Sequence, residues 1–579
     1  MFSLQYKQLI ISTSLFVLTS LTLTGCSEKN IFSTEPETTS TKIKNDNVSK
    51  ENTAYTTTEL VKGSEFCGVH GLGVDANDNL FAGSVVGQSI YKIDLATGKA
   101  ETVVPPPKGN ADDIEFLPDG TMVWTSISQN TVRAKKPNGE VFDLAKDIIS
   151  VNSIAYNEKD NRLFVAQVFG GDGLWELDPD GEKPPRNIMK DTGGLNGFDI
   201  GPDGMIYGPL WFKKRIVKIN PDTGDMQTIA KGFHTPAAAN FDSKWNLYVL
   251  DTGTGEVYII DIKTGEKKVF VKLKSSLDNL AIDSRDQIYV SNMADNSIQK
   301  IDPKTKIIST IVKGGLSCSL AAKAISEKNG DDTLYLADIF ALRKINSTTG
   351  IIKDLQRSHK ANVPFEYPTY VTGDKEYLYI IADGALQQFN RTDFSSMKKW
   401  SGVSGIQAIS VLPNDQLAIL HNLNSISIVS TSKTPESENI LSKAKSVTNE
   451  LQNTVAMSKI LNNKVYVTQR NAGDKKAGGI VQIDLTTGEI KTIIKNLSLP
   501  QGIDVLPNGN IIVMVSSPGE ILEVNPVTGK KIVLSEKINV GRLSKSAGSQ
   551  SMGVTVSQSG NIYVIADGDN SILRISPKL

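Results

Sequence analysis

A unit of about 42 residues, repeated along the chain from residue 64 onward, constrains the fold more than any other feature of this sequence. Each unit contains a short apolar strand, a turn, a second strand, a variable loop and a third strand. The first turn reads Leu117-Pro118-Asp119-Gly120 in one unit and Leu506-Pro507-Asn508-Gly509 in another. Proline presets φ at the first turn position, and Asp-Gly or Asn-Gly tolerates the left-handed residue that follows. No long amphipathic helix pattern interrupts the strands, so the sequence predicts an all-β protein.

Four short strands in a unit of about 40 residues are typical of one β-propeller blade. Twelve units open at Gly71, Asp113, Ser153, Gly197, Ala238, Asn279, Ala322, Thr369, Ala408, Val455, Gly502 and Gly553. Because a propeller usually has about four to eight blades, twelve blades predict two tandem six-bladed β-propellers. We expect the first propeller over residues 56–306 and the second over residues 307–579.

A spare strand precedes each predicted propeller. Residues 56–61 precede the first unit and residues 307–312 precede the seventh, and both lead into Val-Lys-Gly followed by a cysteine. The last unit has only three strands and ends at residues 571–576, so an open edge would remain there without a fourth strand. We therefore expect each spare strand to close its own ring as the outermost strand of the last blade.

The cysteines Cys67 and Cys318 occupy equivalent positions in the two predicted propellers. In an oxidising compartment they could form a disulfide. Alternatively, they are buried thiols at equivalent core positions, because free cysteine is commonly a core residue. We favour the second interpretation.

The N-terminal residues 1–25 predict a signal peptide of a bacterial lipoprotein. Lys7 precedes an apolar run over residues 9–23, and the sequence Leu23-Thr24-Gly25-Cys26 follows. These last four residues resemble a lipobox, in which the signal peptide is removed and the cysteine carries the lipid. Residues 26–55 are polar and predict a flexible tether. We expect an exported protein, lipid-anchored to the cell envelope through Cys26, and on the outer membrane if the cell is Gram-negative.

The charges of the chain are balanced, with 62 Lys+Arg against 63 Asp+Glu. This balance gives no electrostatic basis for binding nucleic acid or an anionic membrane surface. The expected partners are therefore the membrane through the lipid, and a small-molecule or protein ligand.

The residue before each blade opening is expected to lie at the mouth of the propeller channel. In the first propeller these residues are His70, Asp112, Asn152, Asn196, Ala237 and Asp278. In the second they are Ala321, Pro368, Gln407, Thr454, Gln501 and Met552, none of which can ionise. Convergent oxygen and nitrogen donors suit a divalent cation such as Ca²⁺ or Zn²⁺, or a polar ligand. The alternative is that Asp and Asn cap the turns, but capping does not explain the difference between the two halves.

The chain has only four histidines, and each is a candidate functional group. His70 could act as a general base near neutral pH, but the sequence shows no paired nucleophile. His234 precedes the mouth position Ala237 and is expected near the same mouth. His359 and His421 fall on predicted loops and have no predicted partner. No catalytic residue is assigned.

A loop in the fourth blade combines aromatic and cationic residues. It contains Trp211, Phe212, Lys213 and Arg215, and lies between the second and third strands of the blade. Such a loop could cover a small anionic ligand or contact another protein. It could equally be a solvated loop with one packed aromatic side chain.

Two motifs link the repeats to known proteins. The sequences Ser291-Asn292-Met293-Ala294-Asp295-Asn296-Ser297-Ile298 and Leu195-Asn196-Gly197-Phe198 resemble the superfamily of six-bladed propellers. This superfamily includes NHL-repeat, gluconolactonase/regucalcin-like, strictosidine synthase-like and virginiamycin B lyase-like proteins. The resemblance covers residues 56–579 and implies the same blade architecture.

The resemblance also implies a metal site with a changed ligand set. Gluconolactonase-like members hold a divalent metal, often Ca²⁺, with a Glu, an Asn and an Asp at the channel mouth. His70 stands at the position of the Glu, Asn196 matches the Asn, and Asn152 matches a further asparagine on the substrate side. The Asp, which is also the catalytic base in that family, is replaced by Ala237. Carboxylates from neighbouring blades, Asp112 and Asp278, are the candidate replacements.

Because the base position is lost, we expect a protein that binds a ligand or partner at the mouth of its first propeller. A metal-dependent hydrolase (lactonase-like) or a lyase with a rearranged site is the alternative.

Overall fold

Turn contacts explain why each repeat folds into a short antiparallel sheet. The Asp94 carboxylate accepts hydrogen bonds from the N–H groups of Ala96 (2.8 Å) and Thr97 (3.0 Å). Gly98 follows at φ 73°, in the left-handed region that a glycine adopts at no steric cost. The same carboxylate contacts recur at Asp261, Asp302 and Asp484.

The computed structural model describes residues 55–471, 474–540 and 553–578, without the side chains of residues 471 and 474–477. The predicted signal peptide, Cys26, most of the predicted tether and the mouth residue Met552 lie outside these residues. The described residues form β-strands throughout and contain no α-helix. One 3-10 turn is present at Ile127–Gln129.

The strands form twelve antiparallel sheets of four strands each, as expected for propeller-like blades. Strand β1 (Tyr55–Val61) belongs to the last sheet. Sheet 1 contains β2 (Val69–Val74), β3 (Leu80–Ser84), β4 (Ser89–Ile93) and β5 (Ala100–Val104). Sheet 2 contains β6 (Ala111–Phe116), β7 (Met122–Ser126), β8 (Thr131–Lys135) and β9 (Val141–Ala145). Sheet 3 contains β10 (Val151–Asn157), β11 (Arg162–Gln167), β12 (Gly173–Leu177) and β13 (Arg186–Lys190). Sheet 4 contains β14 (Asp199–Ile200), β15 (Ile206–Leu210), β16 (Arg215–Ile219) and β17 (Met226–Lys231). Sheet 5 contains β18 (Pro236–Phe241), β19 (Leu247–Asp251), β20 (Glu256–Ile260) and β21 (Lys267–Lys272). Sheet 6 contains β22 (Leu277–Ile282), β23 (Ile288–Asn292), β24 (Ser297–Ile301) and β25 (Ile308–Val312).

The remaining six sheets follow the same order, and we call sheets 1–6 the first half and sheets 7–12 the second half. Sheet 7 contains β26 (Ala321–Ser326), β27 (Asp332–Asp338), β28 (Ala341–Asn346) and β29 (Ile352–Arg357). Sheet 8 contains β30 (Tyr370–Gly373), β31 (Tyr377–Ala382), β32 (Ala385–Asn390) and β33 (Ser396–Trp400). Sheet 9 contains β34 (Ile406–Leu412), β35 (Gln416–His421), β36 (Ser425–Ser430) and β37 (Lys445–Thr448). Sheet 10 contains β38 (Thr454–Met457), β39 (Lys464–Asn471), β40 (Asp474–Asp484) and β41 (Ile490–Leu497). Sheet 11 contains β42 (Pro500–Val505), β43 (Ile511–Val515), β44 (Glu520–Val524) and β45 (Lys531–Ser535). Sheet 12 contains β46 (Val554–Val556), β47 (Ile562–Ala566), β48 (Ser571–Pro577) and β1.

The first strands of neighbouring sheets contact one another. In the first half these contacts run from β2 through β6, β10, β14 and β18 to β22, and β22 contacts β2. In the second half they run from β26 through β30, β34, β38 and β42 to β46, and β46 contacts β26. Apolar side chains fill the space between adjacent sheets, as where Val123 of sheet 2 and Val165 of sheet 3 share one buried cluster.

The prediction that each spare strand closes its own ring is wrong. Strand β1 pairs with β48, with Thr56 opposite Ser576, so it completes a sheet of the second half. Strand β25 instead completes sheet 6, because the turn closed by the Lys306 N–H and the Asp302 carbonyl (2.8 Å) folds it back onto β24. This hairpin covers the edge of β24, and β1 covers the edge of β48.

The two halves are joined by a disulfide between Cys67 and Cys318, whose Cα atoms are 4.8 Å apart. The favoured interpretation of two free thiols is therefore wrong, although both cysteines are buried as expected. The reason is that the equivalent segments run side by side between the halves, where the Gly68 N–H donates to the Ser317 carbonyl (2.8 Å). Corresponding positions of the two halves are thereby brought face to face.

The disulfide also bears on where the protein works. Disulfides persist outside the cytosol, in oxidising compartments, which indicates an exported protein. In the part of the chain described above, no helix is long and apolar enough to cross a membrane. The lipid anchor at Cys26 remains a prediction.

Further contacts hold the halves together around the disulfide. Met293 and Ala294 of the first half share a buried cluster with Leu320 and Phe340 of the second. Beside this cluster, Arg357 forms ion pairs and hydrogen bonds that cross between the halves, including 2.7 Å to the Asp295 carboxylate and 2.8 Å to the Ser275 carbonyl.

Candidate metal centre

Three potential metal ligands meet where the inner strands of sheets 1, 2 and 6 begin. His70, Asp112 and Asp278 each offer one ligand atom, and these atoms all lie within 4.8 Å of one another. They come together because β2 contacts both β6 and β22. One imidazole and two carboxylates form a nitrogen and oxygen donor set of the kind that binds Zn²⁺ and related divalent cations.

The backbone positions these side chains through strand irregularities. The pairing register of the inner strand shifts between Val69 and Leu72, between Ala111 and Ile114, and between Leu277 and Leu280. Each shift spans one of the three candidate ligands. Bulges of this kind re-aim a side chain out of the regular alternation of a strand.

A glycine next to His70 allows the strands to approach. A Cβ atom at Gly71 would lie only 2.5 Å from the carbonyl oxygen of Asp112. Only glycine fits this position without moving the backbone. The distance between His70 and Asp112 therefore depends on Gly71.

The hydrogen bonds of His70 leave one ring nitrogen for a cation. Its Nδ1 lies 2.9 Å from the Gly68 carbonyl oxygen, to which it donates in the matching tautomer. Nε2 then carries the lone pair. Metal-binding histidines commonly have their second nitrogen held in this way by a carbonyl or carboxylate.

The two predicted asparagines lie in a hydrogen-bond network that reaches Asp112. Asn152 Nδ2 donates to Asp112 Oδ2. Ser153 Oγ donates to Asn152 Oδ1 (2.9 Å) and lies 3.2 Å from Asn196 Oδ1. Asn152 thus orients the candidate ligand Asp112 directly, and Asn196 is linked to Asn152 through Ser153.

The electrostatics of the site reflect the cost of burying these groups together. Burial, together with Asp278 and Asp113, raises the pKa of Asp112 well above its usual value. Burial also raises the pKa of Asp278 to about 7, against an opposing effect of His359. Burial lowers the pKa of His70 to about 4, so the imidazole is neutral. A bound divalent cation would favour the ionised carboxylates and would use the neutral imidazole.

Three acidic residues of the inner strands were not predicted from the sequence as site residues: Asp113, Glu115 and Asp199. Asp113 accepts hydrogen bonds from the Ile154 N–H (3.1 Å) and from Asn279 Nδ2 (2.9 Å). Burial raises the pKa of Asp113 to about 7, that of Glu115 to about 8 and that of Asp199 to about 6. Asp113 and Asp199 accept hydrogen bonds from the neighbouring inner strands and so hold adjacent strands together. A carboxylate among apolar residues of a predicted inner strand is the sequence signal that could have revealed them.

Residues of the second half cover this site, which the sequence did not predict. The ring centroid of Phe340 lies 5.2 Å from that of His70. Ser276 Oγ of the first half donates to the Ser358 carbonyl (2.6 Å), and the Ala361 N–H donates to the Gly253 carbonyl (3.1 Å). We call residues 358–368 the covering segment, because it lies between β29 and β30 and packs on the first half.

The sequence named no partner for His359, and the structure gives it two. In the covering segment, His359 Nδ1 lies 3.1 Å from the Glu366 carboxylate, and His359 Nε2 lies 2.5 Å from the Tyr367 hydroxyl. Burial lowers the pKa of His359, but attraction to Glu366 and a hydrogen bond with it outweigh this effect and leave the pKa above its usual value. Sequence spacing alone did not reveal these contacts, because they depend on the fold of the segment.

The predicted aromatic and cationic loop lies at the same junction. Trp211 is buried, and its ring centroid is 5.1 Å from that of His359 and 5.6 Å from that of Phe169. Phe212 also packs against Phe169 (6.0 Å). Lys213 is exposed, and Arg215 lies on β16 with Nε 3.3 Å from the Lys213 carbonyl. The loop therefore supplies an aromatic wall through Trp211, and the ligand-covering role of its cations stays a prediction.

The second half has a different channel. Its described mouth residues are uncharged, but a cavity of about 50 Å³ is lined by residues that include Lys323, Lys459, Asp504 and Tyr370. The Asp504 carboxylate accepts from the Lys459 N–H (3.1 Å) and the Val556 N–H (2.8 Å), and so ties inner strands together. Within the described residues, the only cluster of three potential His, Cys, Asp or Glu ligands is the one at His70.

Comparisons with known proteins do not extend this description. No protein-family model and no curated protein matches the chain. Among solved structures, a streptogramin B lyase is similar at 13% identity over 49% of this chain and 95% of its own, with a TM-score of 0.37. A gluconolactonase from Xanthomonas campestris is similar at 15% identity over 41% of this chain and 86% of its own, with a TM-score of 0.36. At these scores the likenesses carry no argument about function.

Proposed function

We propose that this protein binds a divalent cation at the mouth of its first half and, through the cation, a small polar ligand. The observation that carries the proposal is the approach of the His70, Asp112 and Asp278 ligand atoms to within 4.8 Å of one another. Three protein ligands leave coordination positions of a cation open, and a ligand with an oxygen donor would take one of them. Zn²⁺ suits the imidazole best, and Ca²⁺ would need further oxygen ligands.

We also propose that the twelve sheets form two six-bladed propellers with exchanged strands. The return contacts from β22 to β2 and from β46 to β26 support this arrangement. In this arrangement the first propeller includes β25, and the second includes β1. The exported chain would be tethered to the cell envelope through Cys26, so its ligand site would lie outside the cytoplasm.

Cation binding is tested on the purified protein by isothermal titration calorimetry with Zn²⁺ and, separately, Ca²⁺. We expect about one equivalent of cation per chain, and a loss of at least about tenfold in affinity for His70→Ala and for Asp112→Asn. His421→Ala is the matched control, because His421 lies on β35 of the second half, and it should bind as the wild type does. Absence of binding, or equal affinity of His70→Ala and wild type, would contradict the proposal.

A second candidate function is metal-dependent hydrolysis. The hydrogen-bonded series Glu366, His359 and Tyr367 favours it, because a passive ligand site does not need a proton-transfer chain beside it.

A further inference from the structure

We infer that the second half supplies the proton donor for a hydrolytic reaction at the cation site of the first half, with Tyr367 as the donor and with His359 and Glu366 positioning it. This inference rests on the proposed cation site. It assigns to the covering segment a catalytic role on esters or lactones whose leaving group is an alkoxide.

The covering segment is built to hold these three residues in place. The Glu366 N–H donates to the Asp383 carboxylate (3.0 Å), and the Tyr367 N–H donates to Ser358 Oγ (2.9 Å). Both His359 and Tyr367 have left-handed backbones, with φ 60° and φ 48°. Such conformations are costly for bulky residues and concentrate at functional sites.

The segment also lies next to the candidate metal ligands. The Phe340 ring packs against both, with its centroid 5.2 Å from the His70 ring and 6.0 Å from the Tyr367 ring. The charge of Asp278 acts on both His359 and Tyr367. The covering segment and the candidate ligands therefore share Phe340 as a neighbour, and in the inferred reaction a ligand held at the mouth lies beside the Tyr367 hydroxyl.

The direction of proton movement follows from the partners of His359. With Glu366 ionised and His359 protonated, Nδ1–H donates to the carboxylate and Nε2–H donates to the Tyr367 oxygen. The Tyr367 hydroxyl proton is then available to another acceptor. Burial and the nearby Glu366 and Asp278 carboxylates raise the pKa of Tyr367 well above its usual value, which keeps this proton on the phenol.

The proposed step balances without a further reactant. The oxygen of a water molecule bonds to the carbonyl carbon of the ester or lactone, and the C–O bond to the leaving oxygen breaks. The leaving oxygen takes the proton of Tyr367, and His359 Nε2–H replaces that proton. His359 then takes up the proton released by the water.

A structural role alone would not account for the arrangement as well. Glu366 is half-buried beside buried His359, and such a charged pair costs desolvation free energy that well-packed apolar residues would avoid. The pair also lies on the side of the second half that covers the first mouth.

The test compares two probes whose leaving groups differ in their need for a proton. The protein is loaded with Zn²⁺, and its kcat/KM is measured on δ-valerolactone, which expels an alkoxide, and on p-nitrophenyl acetate, which expels a stable phenolate. Tyr367→Phe should lower kcat/KM on the lactone by about 100-fold and on p-nitrophenyl acetate by less than about threefold. Its Zn²⁺ affinity should equal that of the wild type.

The positioning role of His359 has its own readout. The wild-type rate on the lactone should fall on the alkaline side as His359 loses its proton, and His359→Gln should lack this limb of the pH profile. A residue with only a structural role would lower the rate equally at every pH. Tyr379→Phe is the matched control, because Tyr379 is a buried tyrosine of the second half whose hydroxyl accepts from Gln388 (3.1 Å).

Each result decides the matter. Equal losses on both probes, no loss on either, or a wild-type protein that binds Zn²⁺ and hydrolyses neither probe would overturn the proton-donor role and leave the cation site standing. A wild-type protein that binds no Zn²⁺ would overturn the cation site and the inference that depends on it.

Discussion

The ring of Phe340 lies 5.2 Å from the ring of His70, at an interplanar angle of 67°. His70 belongs to the first sheet and Phe340 to the turn between β27 and β28, so the second half touches the candidate metal centre of the first. The halves are joined at the same place by the disulfide of Cys67, three residues before His70. The geometry of the site thus depends on how the halves are held together.

The first prediction concerns the disulfide. Replacing both Cys67 and Cys318 by serine removes a link between residues separated by 251 positions. Closing so long a loop restricts the unfolded chain strongly, so we expect a loss of about 2–5 kcal/mol in the free energy of unfolding. Urea denaturation monitored by tryptophan fluorescence measures the loss. Adding a reductant should weaken the wild type and leave the double variant unchanged, and a reductant effect on the double variant would contradict the account.

The second prediction concerns the exchanged strand. Deleting residues 55–61 removes the partner of β48 and exposes the edge of sheet 12. Amide hydrogen exchange should then accelerate by at least about tenfold in β48, with a much smaller change in β24, which keeps β25 as its partner. Faster exchange in β24 than in β48 would show that the strand closes the first half instead.

The third prediction concerns pH. Burial raises the pKa of Glu115 in the folded protein to about 8, so the folded state holds a proton that the unfolded state has lost. Stability from this group is therefore lost as pH rises between about 4.5 and 8. Between pH 5 and pH 9 the melting temperature of Glu115→Gln should fall less than that of the wild type. The difference between the two falls should be about 2–4 °C for each kcal/mol that ionisation of Glu115 costs the folded protein. Glu101 is exposed, so the melting temperature of Glu101→Gln should fall as much as that of the wild type. An equally large fall for Glu115→Gln would refute the raised pKa of Glu115.

The fourth prediction concerns Asn152, which donates to Asp112. Asn152→Ala should weaken Zn²⁺ binding by about 10–100-fold, because residues that orient a metal ligand contribute to affinity without touching the metal. Calorimetry measures the change. Gln407→Ala, at the corresponding mouth position of the second half, is the control and should bind Zn²⁺ normally. Equal effects of the two variants would point to general destabilisation.

The repeated turns made much of the fold predictable. Turns such as Pro-Asp-Gly and Asp-x-x-Thr-Gly recur in many of the units and helped to predict the twelve sheets, because local hydrogen bonds like those of Asp94 close them. The positions of β1 and β25 were not predictable in this way. The hairpin between β24 and β25 places β25 in sheet 6, so the edge of β48 is covered by the distant strand β1.

The candidate site shows the same division. Alignment of the blades placed His70, Asp112 and Asp278 at one mouth, because each precedes the opening of its blade. The contribution of His359, Glu366 and Tyr367 escaped the sequence, since it depends on how the second half packs against the first, and no repeat pattern encodes that packing.

The most direct test of the account is a crystal structure of the protein soaked in Zn²⁺, with anomalous diffraction collected at the zinc edge. We predict one strong anomalous peak at about 2.0–2.2 Å from a ring nitrogen of His70 and from carboxylate oxygens of Asp112 and Asp278. A zinc peak elsewhere in the chain with none at these three residues would contradict the account.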